Sequence, residues 1–390
     1  MEATRPPRSR WRRRLAGLLF AALLLLVGVE FGFRWLAPHL RWGNGSDEPT
    51  IAQSIRRARL WYLEGRSGGF EARAYVGFAR PVSQAGVNEA GFDGPEWAVE
   101  KTPGTLRIVC MGGSTTAGGN PQGPRGSYPH LLEQRLRELS GRTVEVLNCG
   151  VSSWTTAEMV CSWFLNVQDY QPDLVILHEV VNDTEARNWP DFRADYSHYR
   201  VPWSVPHTSE LQRWLIANSD FYAWRLERGA PLSITFITTR ATTGHVFTNG
   251  GFDPATARAY QRNMLSIGRS ARVQGAHMML ATLPTVPHEG DFDLERGRAP
   301  YRAGIAEHNQ LMREIAAQES WMLCDLELQM LQLEAAGAEL FLDLVHVSPQ
   351  GNDFKALAIA RKLLAEWEPL RSSSATGSAT SSTAGSTARD

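Results

Sequence analysis

An α/β fold, with a parallel sheet covered on both faces, is what this 390-residue chain predicts. Short apolar runs alternate with amphipathic helical stretches from about residue 105 to 367, the pattern of strands joined by crossover helices. One of those runs, in DLVILHEVV, is continuously apolar and so reads as a strand buried on both faces. The composition, 43% hydrophobic and 21% charged, is that of a globular chain with enough length for a large core.

The chain begins with MEATRPPRSRWRRR, which carries six arginines. Leu15–Val29 follows, almost purely apolar, and continuation to Leu36 gives 22 residues, close to the ~20 that cross hydrocarbon. Arg34 can snorkel, and Trp11 and Trp35 suit the two interfaces. The arginine excess predicts a cytoplasmic amino terminus, with the remainder periplasmic or extracellular. A cleaved signal peptide shares this layout, but EFGFRWLAPHL after Val29 has no convincing small-x-small cleavage site. The expected segments are 1–14 (cytoplasmic, basic), 15–36 (transmembrane anchor), 37–104 (juxtamembrane linker and lead-in), 105–370 (catalytic domain) and 371–390 (disordered Ser/Thr/Ala/Gly tail).

Within the linker, SIRRARLWYLEGR is arginine-rich and amphipathic, and residues 71–104 form an extended lead-in. TLRIVCMGG is the first strand, and Tyr128–Leu139 an amphipathic helix stopped near Gly141. TVEVLNCG is the second strand, followed by a threonine-capped helix over Thr155–Gln168 and then the DLVILHEVV strand. A helix near Pro254–Arg272, the strand HMMLATLP, a helix near Arg302–Gln318, a short strand WMLCDLEL and a last helix near Pro349–Trp367 complete the alternation. Residues 184–253 interrupt it as a long insertion rich in Trp, Tyr and Pro, a feature that usually marks a binding loop or lid.

A formal net charge of -1 gives no bulk basic field for nucleic acid. The four cysteines, 110, 149, 161 and 324, lack CxxC spacing and read as buried thiols, with a Cys110–Cys149 pair left open for an exported protein.

The first strand ends in CMGGSTTAGG, four glycines around Ser114, Thr115 and Thr116. No lysine stands nearby for a P-loop, GxGxxG is not matched, and Thr116 breaks the GxSxG elbow. What remains is a serine at the carboxyl end of a parallel strand, where open α/β folds place ligands. A nucleophilic serine needs a base, an orienting acid and oxyanion donors. His346 and Asp343, in FLDLVHVSPQGN, form a DxxH unit before a helix start; the carboxylate can hold Nδ1 and leave Nε2 for the hydroxyl. Gly150 after the second strand and Asn182 after the third are oxyanion candidates beside the N–H of Ser114.

Taken in this order, Ser114, Gly150, Asn182 and the Asp343–His346 unit resemble the blocks of the SGNH (GDSL-like) hydrolase superfamily over about 105–367. The lead-in GVNEAGFDGPEW before the first strand is similar to a bacterial, membrane-anchored subgroup. The resemblance implies a flavodoxin-like three-layer sandwich around a mostly parallel five-stranded sheet. It also implies Ser114 as nucleophile, His346 and Asp343 as base and orienter, an oxyanion hole of Ser114, Gly150 and Asn182, and no metal or organic cofactor. Two departures stand out: the family's Gly-Asp-Ser is Gly112-Gly113-Ser114 here, and its Gly-x-Asn-Asp is Val180-Val181-Asn182-Asp183.

Other residues compete for roles in the site. His178-Glu179 would begin a zinc HExxH motif, but position 182 is asparagine. Asp183 competes with Asp343 as the acid, although its place beside Asn182 favours holding that loop. Trp189, Phe192, Tyr196, Tyr199 and Trp203 can stack on sugar rings or simply pack the insertion, and His198 and His207 read as surface residues. The expected activity is hydrolysis of ester bonds, with an O-acyl carbohydrate, a lipid or another acylated small molecule as substrate. Acyl transfer through the same triad, and a non-catalytic envelope scaffold, are the alternatives.

Overall fold

The computed structural model describes residues 8–40, 50–67, 69–118, 126–188, 191–200, 208–229, 254–286, 299–335 and 339–371. Trp189, Trp203, His207 and the tail from 372 onward lie outside them. In chain order the first elements are α1 (Arg8–Leu36), α2 (Ile51–Glu64), β1 (Arg66–Ser67), β2 (Phe70–Arg73), β3 (Gly77–Ala79) and β4 (Leu106–Gly112). Next come α3 (Ser114–Ala117), α4 (Tyr128–Ser140), β5 (Val144–Gly150), α5 (Thr156–Leu165), β6 (Leu174–His178), α6 (Val181–Asn188), α7 (Glu210–Asn218) and α8 (Asp220–Gly229). The last are α9 (Pro254–Val273), β7 (His277–Ala281), α10 (Ala299–Glu319), β8 (Met322–Cys324), α11 (Leu326–Ala335), α12 (Pro349–Glu366) and α13 (Glu368–Arg371).

These elements form two compact units. The larger runs from Val82 to Tyr199 and resumes at Pro254. Its sheet has the order β5-β4-β6-β7-β8, and every neighbouring pair is parallel. Alternation of side chains along β4 turns Leu106, Ile108 and Cys110 into a core shared with Leu132 and Leu136 of α4 and Ile359 and Leu363 of α12. Helices α5 and α9 cover the opposite face, where the Trp163 ring N–H donates to Ser270 Oγ. The five-stranded, three-layer α/β architecture expected from the sequence is therefore observed.

The topology also fixes where a site can form. From β4 the chain winds first to β5 on one side and then to β6 on the other, so the carboxyl end of β4 is the switch point of the sheet. Gly112 is in register with Gly150 on one side and with His178 on the other, which brings three loop starts to one rim.

Two local differences from the sequence expectation have physical causes, and the open question of a cysteine pair is decided by register. The strand expected over WMLCDLEL stops at Cys324, because the Asp325 carboxylate accepts the N–H of Leu328 and starts α11. The helix expected to reach Gln168 ends at Leu165 and passes into a 3₁₀ turn, Val167–Tyr170. Its start is as expected, with Thr155 and Glu158 forming a reciprocal capping box. Finally, β4 and β5 carry Cys110 and Cys149, but the register pairs Cys110 with Asn148 and Met111 with Cys149. That one-residue offset sends the two side chains to opposite faces, and all four thiols are free.

The smaller unit contains the described residues up to Pro81 together with Arg200 and 208–229. It holds the antiparallel sheet β1-β2-β3 and a helical cluster in which Ile51, Ile55 and Ala58 of α2 pack with Ala37 and Ala223. The span read as one insertion is thus divided. Tyr196 and Tyr199 are buried with Ala186 and Ala259 in the larger unit, whereas α7 and α8 belong to the smaller one.

Candidate active site

Gly113 and Ser114 follow β4 directly, and Ser114 opens the single turn α3. The hydroxyl is half-buried, and His346 Nε2 lies 2.8 Å from Ser114 Oγ. On its other side His346 Nδ1 is 2.7 Å from Asp343 Oδ2. The second oxygen of Asp343, Oδ1, accepts the backbone N–H groups of Val345 (3.0 Å) and His346 (2.8 Å), so the DxxH segment is a closed turn. Burial opposes ionisation of Asp343, but hydrogen bonds from the His346 ring and from those two backbone groups hold its carboxyl down at about 2. Ser348 then caps α12 by accepting the N–H of Gly351, and Pro349 sits in the first turn, as the Ser-Pro-Gln-Gly stretch predicts. Ser114 and His346 open onto a pocket walled by Thr115, Leu342, Val347 and Asn352.

Asn182 reaches the same rim from α6. Its Nδ2 donates to the carbonyl of Trp154 (2.8 Å), and a Cβ on Gly113 would overlap that nitrogen. Gly150 is placed differently. Its N–H donates to Asn148 Oδ1 (3.1 Å), and a Cβ there would collide with the backbone at Thr116–Ala117. Glycine at 150 therefore lets β5 pass closely under the turn that carries Ser114, and its donor is already engaged. In the loop that follows β5, Ser153 takes a left-handed φ of 67°, next to the carbonyl that holds Asn182.

A family model for GDSL-like lipases and acylhydrolases matches residues 110–354, more than half of the chain. The chain belongs to that family. This GDSL-like chain is an ester hydrolase of the SGNH type. Among solved structures, a catalytic mutant of Axe2, an acetylxylan esterase from Geobacillus stearothermophilus, is 14% identical with a TM-score of 0.44, covering 66% of this chain and 94% of that one. LAE5, an alpha/beta hydrolase from the Lake Arreo metagenome, is 17% identical with a TM-score of 0.41, covering 68% and 97%. A putative G-D-S-L lipolytic protein from Desulfitobacterium hafniense is 14% identical with a TM-score of 0.40, covering 66% and 99%. No curated protein matches the chain.

The remaining candidates have structural surroundings. Asp183 is buried and accepts from Thr156 N–H (2.8 Å), Thr156 Oγ1 (2.5 Å) and the Tyr196 hydroxyl (2.6 Å), which ties α6 to the start of α5. His178 is fully buried with Nδ1 3.0 Å from the Ala281 carbonyl, and burial pushes its pKa well down. His198, read from the sequence as a surface residue, is buried between Arg193 N–H and the Ala186 carbonyl. Tyr196 and Tyr199 are likewise enclosed and offer no ring face for a sugar.

Two residues of the GDSL-like site were not recognised from the sequence. Glu179, weighed only as part of a metal motif, lies directly behind the nucleophile turn. Its Oε1 accepts the N–H of Asn182 (2.8 Å), and a Cβ at 113 would overlap its Oε2. The acid missing at position 113 is replaced in space by one from the end of β6. Lys355, on α12, donates from Nζ to the Thr115 carbonyl (2.8 Å) and sits 4.6 Å from the Tyr128 ring centre. Burial lowers its pKa to about 7. A lysine among the apolar positions of a predicted helix was the available signal, in a chain with lysine only at 101, 355 and 362.

Burial, with the nearby Asp183 carboxylate adding to it, raises the Glu179 carboxyl from 4.5 to about 8. Between those values the unfolded chain releases a proton that the folded chain keeps, so this group makes stability fall as pH rises and adds no further slope above them. Asp183, raised by burial to about 6, acts in the same direction over a lower window. Glu179→Gln should therefore flatten the loss of stability between about pH 5 and 8, worth on the order of a few kcal/mol. Urea midpoints of both proteins across that range read it, and parallel slopes would contradict the assignment.

Proposed function

We propose that this chain is a membrane-anchored serine esterase whose catalytic unit faces the periplasm or cell exterior, acting on an acylated carbohydrate, lipid or small molecule. The observation that carries the reading is the hydrogen-bonded series Ser114–His346–Asp343, with contacts of 2.8 and 2.7 Å. Ser114 Oγ attacks the ester carbonyl as His346 Nε2 takes its proton, and ionised Asp343 stabilises the imidazolium through Nδ1–H. The tetrahedral oxyanion is held by the N–H of Ser114 and by the Asn182 amide. Gly150, the third donor expected from the sequence, gives its N–H to Asn148 Oδ1 in this structure. Collapse expels the alcohol with the proton from His346. Water, activated by the same imidazole, then attacks the acyl-enzyme and releases the acid.

The anchor reading rests on α1. Its apolar side chains are exposed, with Leu18 and Leu25 each at 69%, and its 29 residues extend about 43 Å, more than the ~30 Å hydrocarbon core. Its outer end is built into the folded chain: Phe33 and Ala37 pack with α2 and α8.

A fluorophosphonate should label Ser114 covalently and label the His346→Ala variant far less; labelling elsewhere, or equal labelling of the variant, would count against the mechanism. Asn182→Ala should keep its label while losing about 100- to 1000-fold in turnover. Product analysis with and without oligosaccharide acceptors separates water from a sugar hydroxyl as the group that receives the acyl chain. Resistance to alkaline carbonate extraction tests the anchor on its own.

A further inference from the structure

Glu30 is an acid within a helix otherwise built to cross a membrane, and its partners explain it. Its carboxylate accepts from Ser219 Oγ (2.7 Å), Asp220 N–H (2.7 Å) and Phe221 N–H (3.3 Å), which are the hydroxyl and backbone donors at the start of α8. Arg34 Nε adds a fourth contact at 2.8 Å, and Arg34 also donates to the Asn218 carbonyl at the end of α7. The corner between α7 and α8 is held from α2 as well, where Arg59 donates to the Ile216 carbonyl (3.0 Å) and to Asp220 Oδ1 (2.6 Å). Phe33 stacks edge-on against Phe221, with ring centres 5.5 Å apart. A hairpin more than 180 residues downstream is thus bolted to residues 30–34 of the anchor.

Position along α1 says what this hairpin meets. Counting from Trp11, the ~20 residues that cross hydrocarbon end at Glu30; counting from Leu15, they end at Arg34. Glu30 to Arg34 therefore marks the outer boundary of the bilayer. On α7, Leu211 and Trp214 share one face and are 66% and 61% exposed. Trp214 lies one turn before Asn218, the residue held by Arg34. Trp35 on α1 is 74% exposed close to the same boundary. Tryptophan beside a charged helix end is the composition of a membrane interface.

We propose that the α7–α8 hairpin is a membrane collar: it docks on Glu30 and Arg34 and lays Leu211 and Trp214 into the outer headgroup region of the lipid that α1 crosses. The inference rests on the anchor reading above and deepens it, giving this part of the insertion a lipid contact in place of a substrate contact.

The test uses the full chain in vesicles of phosphatidylethanolamine and phosphatidylglycerol. Cys161 is changed to serine, because it is the one thiol not fully buried. An NBD probe is then placed at Leu211→Cys or Trp214→Cys. Emission should shift to the blue in vesicles relative to detergent and fall about twofold when shallow doxyl-labelled lipid is included. In a Glu30→Leu background the anchor should stay carbonate-resistant while quenching at both sites is lost. Carbonate-resistant protein whose probes show neither shift nor quenching overturns the collar and leaves the anchor standing. Unchanged quenching in Glu30→Leu overturns the docking. Release by carbonate with unquenched probes overturns both.

Discussion

Ser114→Ala and His346→Ala should each lower turnover of an activated acyl ester by roughly 10⁵- to 10⁶-fold, with the double variant little worse than either alone. The reason lies in the geometry. A serine hydroxyl is a poor nucleophile until a base 2.8 Å away can take its proton, so removing either partner removes the same step. Asp343→Asn should cost less, on the order of 10⁴-fold, because the ring remains but its tautomer is no longer fixed. The closed turn around Asp343, with its two backbone donors, would still be available to an amide oxygen. Steady-state kinetics with thermal melting of each variant reads these effects apart from unfolding. A His346→Ala protein that folds and retains activity within tenfold of the parent would exclude His346 as the base.

Gly113→Ala is expected to damage both the packing and the chemistry of the nucleophile turn. The added carbon would overlap Glu179 Oε2 on one side and Asn182 Nδ2 on the other; Asn182 Nδ2 is held by the Trp154 carbonyl, and Glu179 by the Asn182 N–H on its Oε1. Overpacking of this kind costs about 1–3 kcal/mol of stability. Displacing the Asn182 amide should further cost about 100-fold or more in turnover. Shortening Glu179 to alanine removes one of the two clashes, so Gly113→Ala with Glu179→Ala should recover much of the lost stability. The double variant Gly113→Asp with Glu179→Ala restores the family's Gly-Asp-Ser and returns the carboxyl to its usual side of the turn. It should fold better than Gly113→Asp alone. Strictly additive losses around this cycle would mean that positions 113 and 179 do not compete for one space.

Much of this was legible in the chain because it depends on neighbours in sequence. The alternation of apolar runs with amphipathic helices sets the sheet. The DxxH turn is also local: three residues separate Asp343 from His346, and Ser348-Pro349 starts the helix that holds them. Where the structure adds to or corrects the sequence expectation, hydrogen-bond partners, strand register and loop packing decide. The N–H of Gly150 is claimed by Asn148, a bond set by how β5 passes under the nucleophile turn. Cys110 and Cys149 look like neighbours until the register sends them to opposite faces. His198 is polar and sits in a long loop, yet that loop folds over it.

By itself the sequence determined the class of fold, the serine, imidazole and carboxylate that the structure brings together, and a helix long and apolar enough to cross a bilayer. Those properties follow from periodicity and residue type, which a linear chain carries directly. Only the tertiary structure decided that the Glu179 carboxyl lies against Gly113, where the family's acid is absent, that Lys355 supports the turn from behind, and that the corner between α7 and α8 packs on Glu30 of α1. Each depends on which groups find partners once water is excluded. A buried carboxyl or ammonium takes its role from the few donors and acceptors that long-range folding brings within about 3 Å, and no local pattern encodes that choice.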